Sequence, residues 1–165
     1  MKILIKFPTR GRREKFLKVI RLYLENITMP DTRILVTIDD DDLTMNTPDM
    51  IEMFKANGIM YDVGRSDNKI HACNRGLQDH YFDIVILASD DMIPQVKGFD
   101  QIINDAMWKH FPDTDGCLHF NDGYTGDRLQ TMVIFGRKYY ERFKYLYHPD
   151  YISLWSDNEQ MEVAK

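Results

Sequence analysis

The sequence predicts an α/β fold built on a largely parallel sheet, and three observations carry that expectation. Short apolar runs rich in β-branched residues alternate with stretches whose apolar residues recur at steps of three and four. The first four such runs begin roughly 30 residues apart, the size of a strand–helix–strand unit. The run Asp83 to Ala88 (Asp-Ile-Val-Ile-Leu-Ala) is unbroken, as in a strand covered on both faces by helices.

Ile3 to Phe7 reads as the first strand. From Arg13 to Asn26 the period changes, and Phe16, Ile20, Tyr23, Leu24 and Ile27 mark one face of a helix that Met29-Pro30-Asp31 ends. Arg33 to Ile38 is the second strand. Thr47-Pro48-Asp49 then combines a hydroxyl cap, a proline at the first helical position and an acid facing the helix dipole. Asn57-Gly58 stops that helix as a left-handed pair, and Ile59 to Val63 is a third strand. A further amphipathic stretch places Ile70, Cys73, Leu77 and Tyr81 on one face. After the strand at Asp83 to Ala88, a helix is marked by Phe99, Ile102, Ile103, Ala106 and Met107. Later strands are read at Cys117 to Phe120 and Thr131 to Phe135, separated by a Gly/Asp/Asn-rich loop at Asn121 to Asp127. A short aromatic helix over Arg137 to Leu146 and a last one from Trp155 to Lys165 complete the reading.

Composition narrows the function. With 44% hydrophobic and 12% aromatic residues the 165-residue chain has enough apolar content for a core and reads as one domain. A net charge of −5 argues against a general nucleic-acid binder. No run approaches the ~18 apolar residues of a membrane span, and the charged N-terminal hexapeptide is too short and polar for a signal peptide. Two cysteines, Cys73 and Cys117, make neither a disulfide scaffold nor a metal-site spacing, so a reducing cytoplasm is expected.

In an open parallel sheet, ligands bind beyond the carboxyl ends of the strands. Four successive strand ends here carry residues a core does not need: Pro8-Thr9-Arg10-Gly11-Arg12-Arg13, Asp39 to Asp42, Gly64 to Lys69, and Ser89-Asp90-Asp91-Met92. Two carboxylates ~4 Å apart repel by roughly 4 kcal/mol at an effective dielectric of ~20, so Asp90 and Asp91 at a strand mouth would raise a pKa or recruit a cation. Hard divalent ions take one or two protein carboxylates plus substrate phosphates; the alternative for the pair is a solvated turn. Asp39 is the member of its acidic run placed directly at a strand end. Lys69 at a helix start suits a phosphate, and His148 in Tyr147-His148-Pro149 is a candidate metal or phosphate ligand. Asp157 and Glu159 stand two residues apart at a helix start, where a plain N-terminal cap is the competing explanation.

Taken in order, these motifs resemble the family 2 glycosyltransferases. The pieces are Pro8-Thr9-Arg10-Gly11-Arg12, Val36-Thr37-Ile38-Asp39-Asp40, Asn68 to Leu77 (Asn-Lys-Ile-His-Ala-Cys-Asn-Arg-Gly-Leu), Ile86 to Met92, and Ser156-Asp157-Asn158-Glu159. The resemblance spans essentially the whole chain. It implies a GT-A-like, Rossmann-type three-layer sandwich over residues 1–165, one that stops short of the family's acceptor-binding elements. It implies transfer of a sugar from a UDP- or GDP-linked donor to a glycan or other hydroxyl acceptor, with inversion and with Mn²⁺ or Mg²⁺. Pro8, Thr9 and Arg10 would line the nucleoside pocket, and Asp39 would accept a hydrogen bond from the base. Lys69 and Asn74 would lie near the nucleotide, Ser89 and Asp90 would face the ribose or sugar, and Asp91, with His148 as a further candidate, would hold the metal. Asp157 would act as general base, with Glu159 sharing that work. Ser156 and Ser89 stand where the family usually has acids.

Two other readings compete. Asp40-Asp41-Asp42-Leu43-Thr44 fits the Asp-x-Asp-x-Thr pattern of haloacid-dehalogenase-like phosphatases, although their nucleophile follows the first strand. A nucleotide-sugar or glycan-binding module without turnover is the third.

Overall fold

A computed structural model describes residues 1–120, 132–153 and 155–164. Its centre is a five-stranded sheet of β1 (Ile3–Pro8), β2 (Thr32–Asp39), β3 (Met60–Gly64), β4 (Ile84–Leu87) and β5 (Ile134–Gly136) in the order β3-β2-β1-β4-β5. The first four strands run parallel, and β5 pairs antiparallel with β4.

Side-chain alternation along the strands builds two cores. Ile3, Ile5 and Phe7 of β1, with Ile34, Val36 and Ile38 of β2 and Ile84 and Ile86 of β4, face one side. There they meet α1 (Arg13–Asn26) through Phe16, Val19, Ile20 and Tyr23, α2 (Pro48–Ala56) through Met50 and Phe54, and α4 (Phe99–His110) through Ile103 and Met107. Leu4, Leu35, Val85 and Leu87 face the other side, against Ile70 and Cys73 of α3 (Lys69–Asn74) and Tyr139 and Tyr140 of α5 (Arg137–Phe143). Phe7, Phe16, Tyr23, Phe54 and Phe99 are linked by edge-to-face ring contacts, a geometry that adds to area burial.

Several expected elements differ in detail. The stretch read as one amphipathic helix from Ile70 to Tyr81 breaks at Gly76, which adopts a φ of +81°. A single 3₁₀ turn at Leu77–Asp79 follows, so Leu77 stays buried while Tyr81 is exposed. Ile102 of α4 is also exposed. Cys117 to Phe120, read as a strand, contributes one bridge, Cys117 to Phe135. The expected loop at Asn121 to Asp127 lies outside the described residues, as do Thr131, the expected start of the last strand, and Lys165. The last helix, α6 (Ser156–Val163), follows Trp155, whose φ is +68°. Among the described residues no helix is long and apolar enough to cross a membrane.

Candidate active site

Chain order places the site. From β1 the path crosses to β2 and β3 on one side, then returns to β4 on the other, so the sheet reverses direction of growth between β1 and β4. At such a switch point the loops beyond the strand ends part and leave a crevice. A cleft of about 770 Å³ opens there. Its walls are the ends of β1 (Pro8, Thr9, Arg10, Arg12), β2 (Asp39, Asp41) and β4 (Ser89 to Met92), together with the segment Arg65 to Lys69. Of the twelve candidate residues, Pro8, Thr9, Arg10, Asp39, Lys69, Ser89, Asp90 and Asp91 line it; Asn74, His148, Asp157 and Glu159 do not.

Charge in the cleft is paired across loops. Asp39 is buried and accepts from Arg10 at 2.7 Å, with Arg75 at 3.9 Å on its other oxygen. Arg10 also binds Asp41 at 2.6 Å, and that hydrogen bond holds the Asp41 carboxyl below its ordinary range. Across the cleft, Arg12 reaches Asp90 at 3.1 Å and Asp91 at 3.6 Å, and Lys15 pairs with Asp91. Asp90 is buried, whereas Asp91 is exposed and kept ionised, chiefly by the Lys15 hydrogen bond. Tyr23 donates to the Met92 carbonyl at 2.9 Å, fastening this loop to α1.

Some polar atoms at the cleft have no protein partner. The hydroxyls of Thr9 and Ser66 both line it and are buried without a hydrogen bond among the described residues, leaving them to a ligand or solvent. Arg75 donates Nη2 to the Ile38 carbonyl at 2.8 Å, while its Nε and Nη1 are buried without a hydrogen bond among the described residues, Nε lying 3.7 Å from Asp62 Oδ2. Its guanidinium passes over Gly64, where a Cβ would collide with Nη1. Gly64→Ala is therefore expected to push Arg75 off Asp39 and to destabilise the fold by about 1–3 kcal/mol through overpacking, read by thermal unfolding. An unchanged melting temperature would show that Arg75 has another rotamer to use.

The remaining candidates have other surroundings. The Asn74 amide accepts from the backbone N–H of Leu146 at 2.8 Å and of Tyr147 at 3.2 Å, and donates to the Tyr147 carbonyl at 2.7 Å. These bonds clamp Tyr147 against the cleft and leave one Nδ2 proton of the amide over. His148 accepts at Nδ1 from the Asp150 N–H at 3.3 Å and stands between the rings of Tyr145 and Tyr151. Asp157, in the first turn of α6, lies close enough to Tyr147 to help burial raise that phenol's pKa. Glu159 instead acts on Tyr139 and Tyr145. Asp42, the second acid of the phosphatase-like pattern, is buried away from the cleft and held by the N–H groups of Gly11, Thr44 and Met45 and the Thr44 hydroxyl.

Tyr147, Thr37, Cys73 and Arg65 line the cleft without having been singled out as ligand contacts from sequence. Arg65 stands in the strand-end run Gly64 to Lys69, but Tyr147 arrives through a long-range contact that no local pattern announces.

Among the described residues no three His, Cys, Asp or Glu side chains gather as a ready-made metal site. Asp90 and Asp91 offer hard oxygen donors at the cleft rim, a set that suits Mg²⁺ or Mn²⁺ when substrate phosphates complete the shell.

No protein-family model and no curated protein sequence matches the chain. Solved structures do match in fold. The mannosyltransferase PcManGT from Pyrobaculum calidifontis, in complex with GDP-Man and Mn²⁺, superposes with a TM-score of 0.71 at 16% identity, covering 96% of this chain and 50% of that one. S. aureus TarS 1-349 in complex with UDP-GlcNAc gives a TM-score of 0.71 at 13% identity over 99% of this chain and 53% of that one. A CMP:2-keto-3-deoxy-manno-octonic acid synthetase complexed with CTP gives 0.58 at 12% identity, over 99% and 85%. The chain thus has the GT-A-like fold of nucleotide-diphospho-sugar transferases, and spans about half the length of the glycosyltransferases it matches.

Proposed function

We propose that the protein is a glycosyltransferase that moves a sugar from a UDP- or GDP-linked donor to an acceptor hydroxyl, with inversion at the anomeric carbon. The observation that carries this reading is the convergence of Thr9, Asp39, Lys69, Asp90 and Asp91 on one cleft at the switch point of the sheet. Both glycosyltransferases compared were solved with nucleotide sugars, one of them with Mn²⁺.

In this reading the nucleoside lies along Pro8, Thr9 and Asp39, with Arg10 and Arg75 holding the Asp39 carboxylate in place. The free hydroxyls of Thr9 and Ser66 gain partners from the ligand. Lys69, Arg12 and Arg65 supply positive charge for the diphosphate. Asp90 and Asp91 would hold a divalent ion, which stabilises the charge that develops on the diphosphate leaving group. Arg12 and Lys15 must then share their carboxylates with it. Asp157, on the Tyr147 side, accepts the proton from the attacking hydroxyl.

Thermal unfolding with nucleotides tests this directly. At about 100 times the dissociation constant a ligand adds ~2.7 kcal/mol, which raises the midpoint by roughly 5–10 °C for a chain of this size. UDP or GDP with Mn²⁺ is expected to do so, and inorganic phosphate is not. Stabilisation by CTP alone would favour the nucleotidyltransferases that share the fold. Stabilisation by UDP or GDP with no release of nucleotide from a sugar donor would favour a binding module.

A further inference from the structure

Lys6 is at the centre of β1, on the face packed against α3, and is fully buried. The position belongs to the core. Its neighbours across the sheet are Leu35 of β2 and Leu87 of β4, and Leu4 precedes it on the same face. Among the described residues its amine has one hydrogen-bond partner, Thr37 Oγ1 at 2.6 Å, and no carboxylate pairs with it. The Thr37 hydroxyl in turn lies 3.3 Å from the Ala72 carbonyl and donates to it. An ammonium has three protons to place, and a single hydroxyl oxygen satisfies one of them.

The surroundings make this lysine more than a packing irregularity. Thr37, Cys73 and Leu87 all line the cleft, so its floor is about one side chain thick above the amine. The charged and titratable groups that act on Lys6 are Asp62 on β3, Cys73 on α3 and Arg75 just after that helix, while α5 adds the phenols of Tyr139 and Tyr140 to the same core. Tyr147 and Lys69 in turn interact electrostatically with Cys73. Burial dominates their sum and pushes the amine down to about 7, against which only Asp62 pulls at neutral pH. Cys73, itself pushed up to about 11 by burial, is an uncharged thiol there.

We propose that Lys6 is the buried cation of the donor site: a nucleoside diphosphate entering the cleft draws a proton from solvent onto the Lys6 amine, so that donor binding and proton uptake are coupled. The proposal rests on the nucleotide-binding reading above and adds a determinant that the ligand never touches. The balance is simple, since one proton leaves the buffer and the neutral amine becomes the ammonium. In a poorly screened interior an anion just above the floor favours the charged form of an amine below it. Linkage then requires nucleotide affinity to weaken as pH rises through the free amine's range. Lys6 is thus a positioning charge and not a catalytic residue.

Calorimetric titration of UDP and of GDP with Mn²⁺ at pH 8, in two buffers of different ionisation enthalpy, reads the proton directly. Wild type is expected to take up about half a proton more than Lys6→Met, and its affinity is expected to fall several-fold further between pH 6.5 and 8.5. Methionine fills the same volume without a buried amine, so the variant should fold. A second readout needs no variant. The Lys6 ¹³Cε resonance, followed with pH in the presence of Mg²⁺, should titrate near 7 in the free protein and at a higher pH with nucleotide bound. Equal proton uptake in both proteins, or an unmoved ¹³Cε midpoint while nucleotide binds, overturns the proposal. Failure of both UDP and GDP to bind wild type or variant overturns the nucleotide reading itself, and this proposal with it.

Discussion

Asp157→Asn is expected to leave UDP or GDP affinity within about twofold of wild type while lowering the turnover of a sugar donor by roughly 10²–10⁴-fold, about 3–5 kcal/mol of barrier. The substitution keeps the size of the side chain and an oxygen that can accept the Asn158 N–H, which Asp157 Oδ1 now does at 3.0 Å. It removes only the ability to take a proton. The side chain is partly exposed and stands outside the residues lining the donor cleft, so nucleotide contacts are not at stake. Beside it, Ser156 Oγ donates to the carbonyl of Ser153 at 3.3 Å, and Ser153 lines the cleft. Steady-state assay of nucleotide release across UDP- and GDP-sugars checks the expectation. An unchanged rate would remove Asp157 from the chemistry and turn attention to Glu159.

The largest expected effect on stability comes from a residue far from the cleft. Asp100 at the start of α4 is fully buried, and its carboxylate accepts from the Met29 N–H at 2.8 Å, the Thr32 hydroxyl at 2.9 Å, the Thr28 N–H at 3.1 Å and the Thr28 hydroxyl at 3.2 Å. Those donors belong to the connection between α1 and β2 and to the first residue of β2, so one side chain ties α4 to the far end of the sheet. Asp100→Ala strands buried donors in addition to losing the bonds, which costs about 3–5 kcal/mol. For a chain of this length that lowers the melting temperature by roughly 10 °C. Urea unfolding should show the loss as a shifted midpoint at constant slope. A midpoint moved by less than a few tenths molar would mean that water replaces the carboxylate.

What the sequence made legible follows from where its information is local. The strands Ile3–Pro8, Thr32–Asp39 and Ile84–Leu87 are apolar runs that only a buried strand explains, and the proline, glycine and acid signals around α2 are chemistry of the backbone itself. The order of those strands then placed the loop residues Thr9, Asp39, Lys69, Asp90 and Asp91 together. Legibility failed where tertiary contact decides. The face through Ile70, Cys73, Leu77 and Tyr81 has helical spacing, yet Gly76 turns the chain and leaves Tyr81 outside. Asn74 has the right place in its motif for a ligand contact, and its bonds to the Leu146–Tyr147 backbone, distant in sequence, are announced by no local pattern. Lys6 interrupts an apolar strand, a signal visible from the start, but only its burial beneath Thr37 gives it a meaning.

In the proposed function a nucleoside diphosphate and a divalent ion meet at the β1–β4 crevice. Paramagnetic broadening of backbone amide resonances by Mn²⁺, recorded with and without UDP or GDP, tests it most directly. Nucleotide-dependent broadening centred on Ser89 to Met92 and reaching Thr9 to Arg12 is the expected result. Broadening that ignores the nucleotide, or that centres on the acids Asp113 and Asp115 beside Lys138, would contradict it.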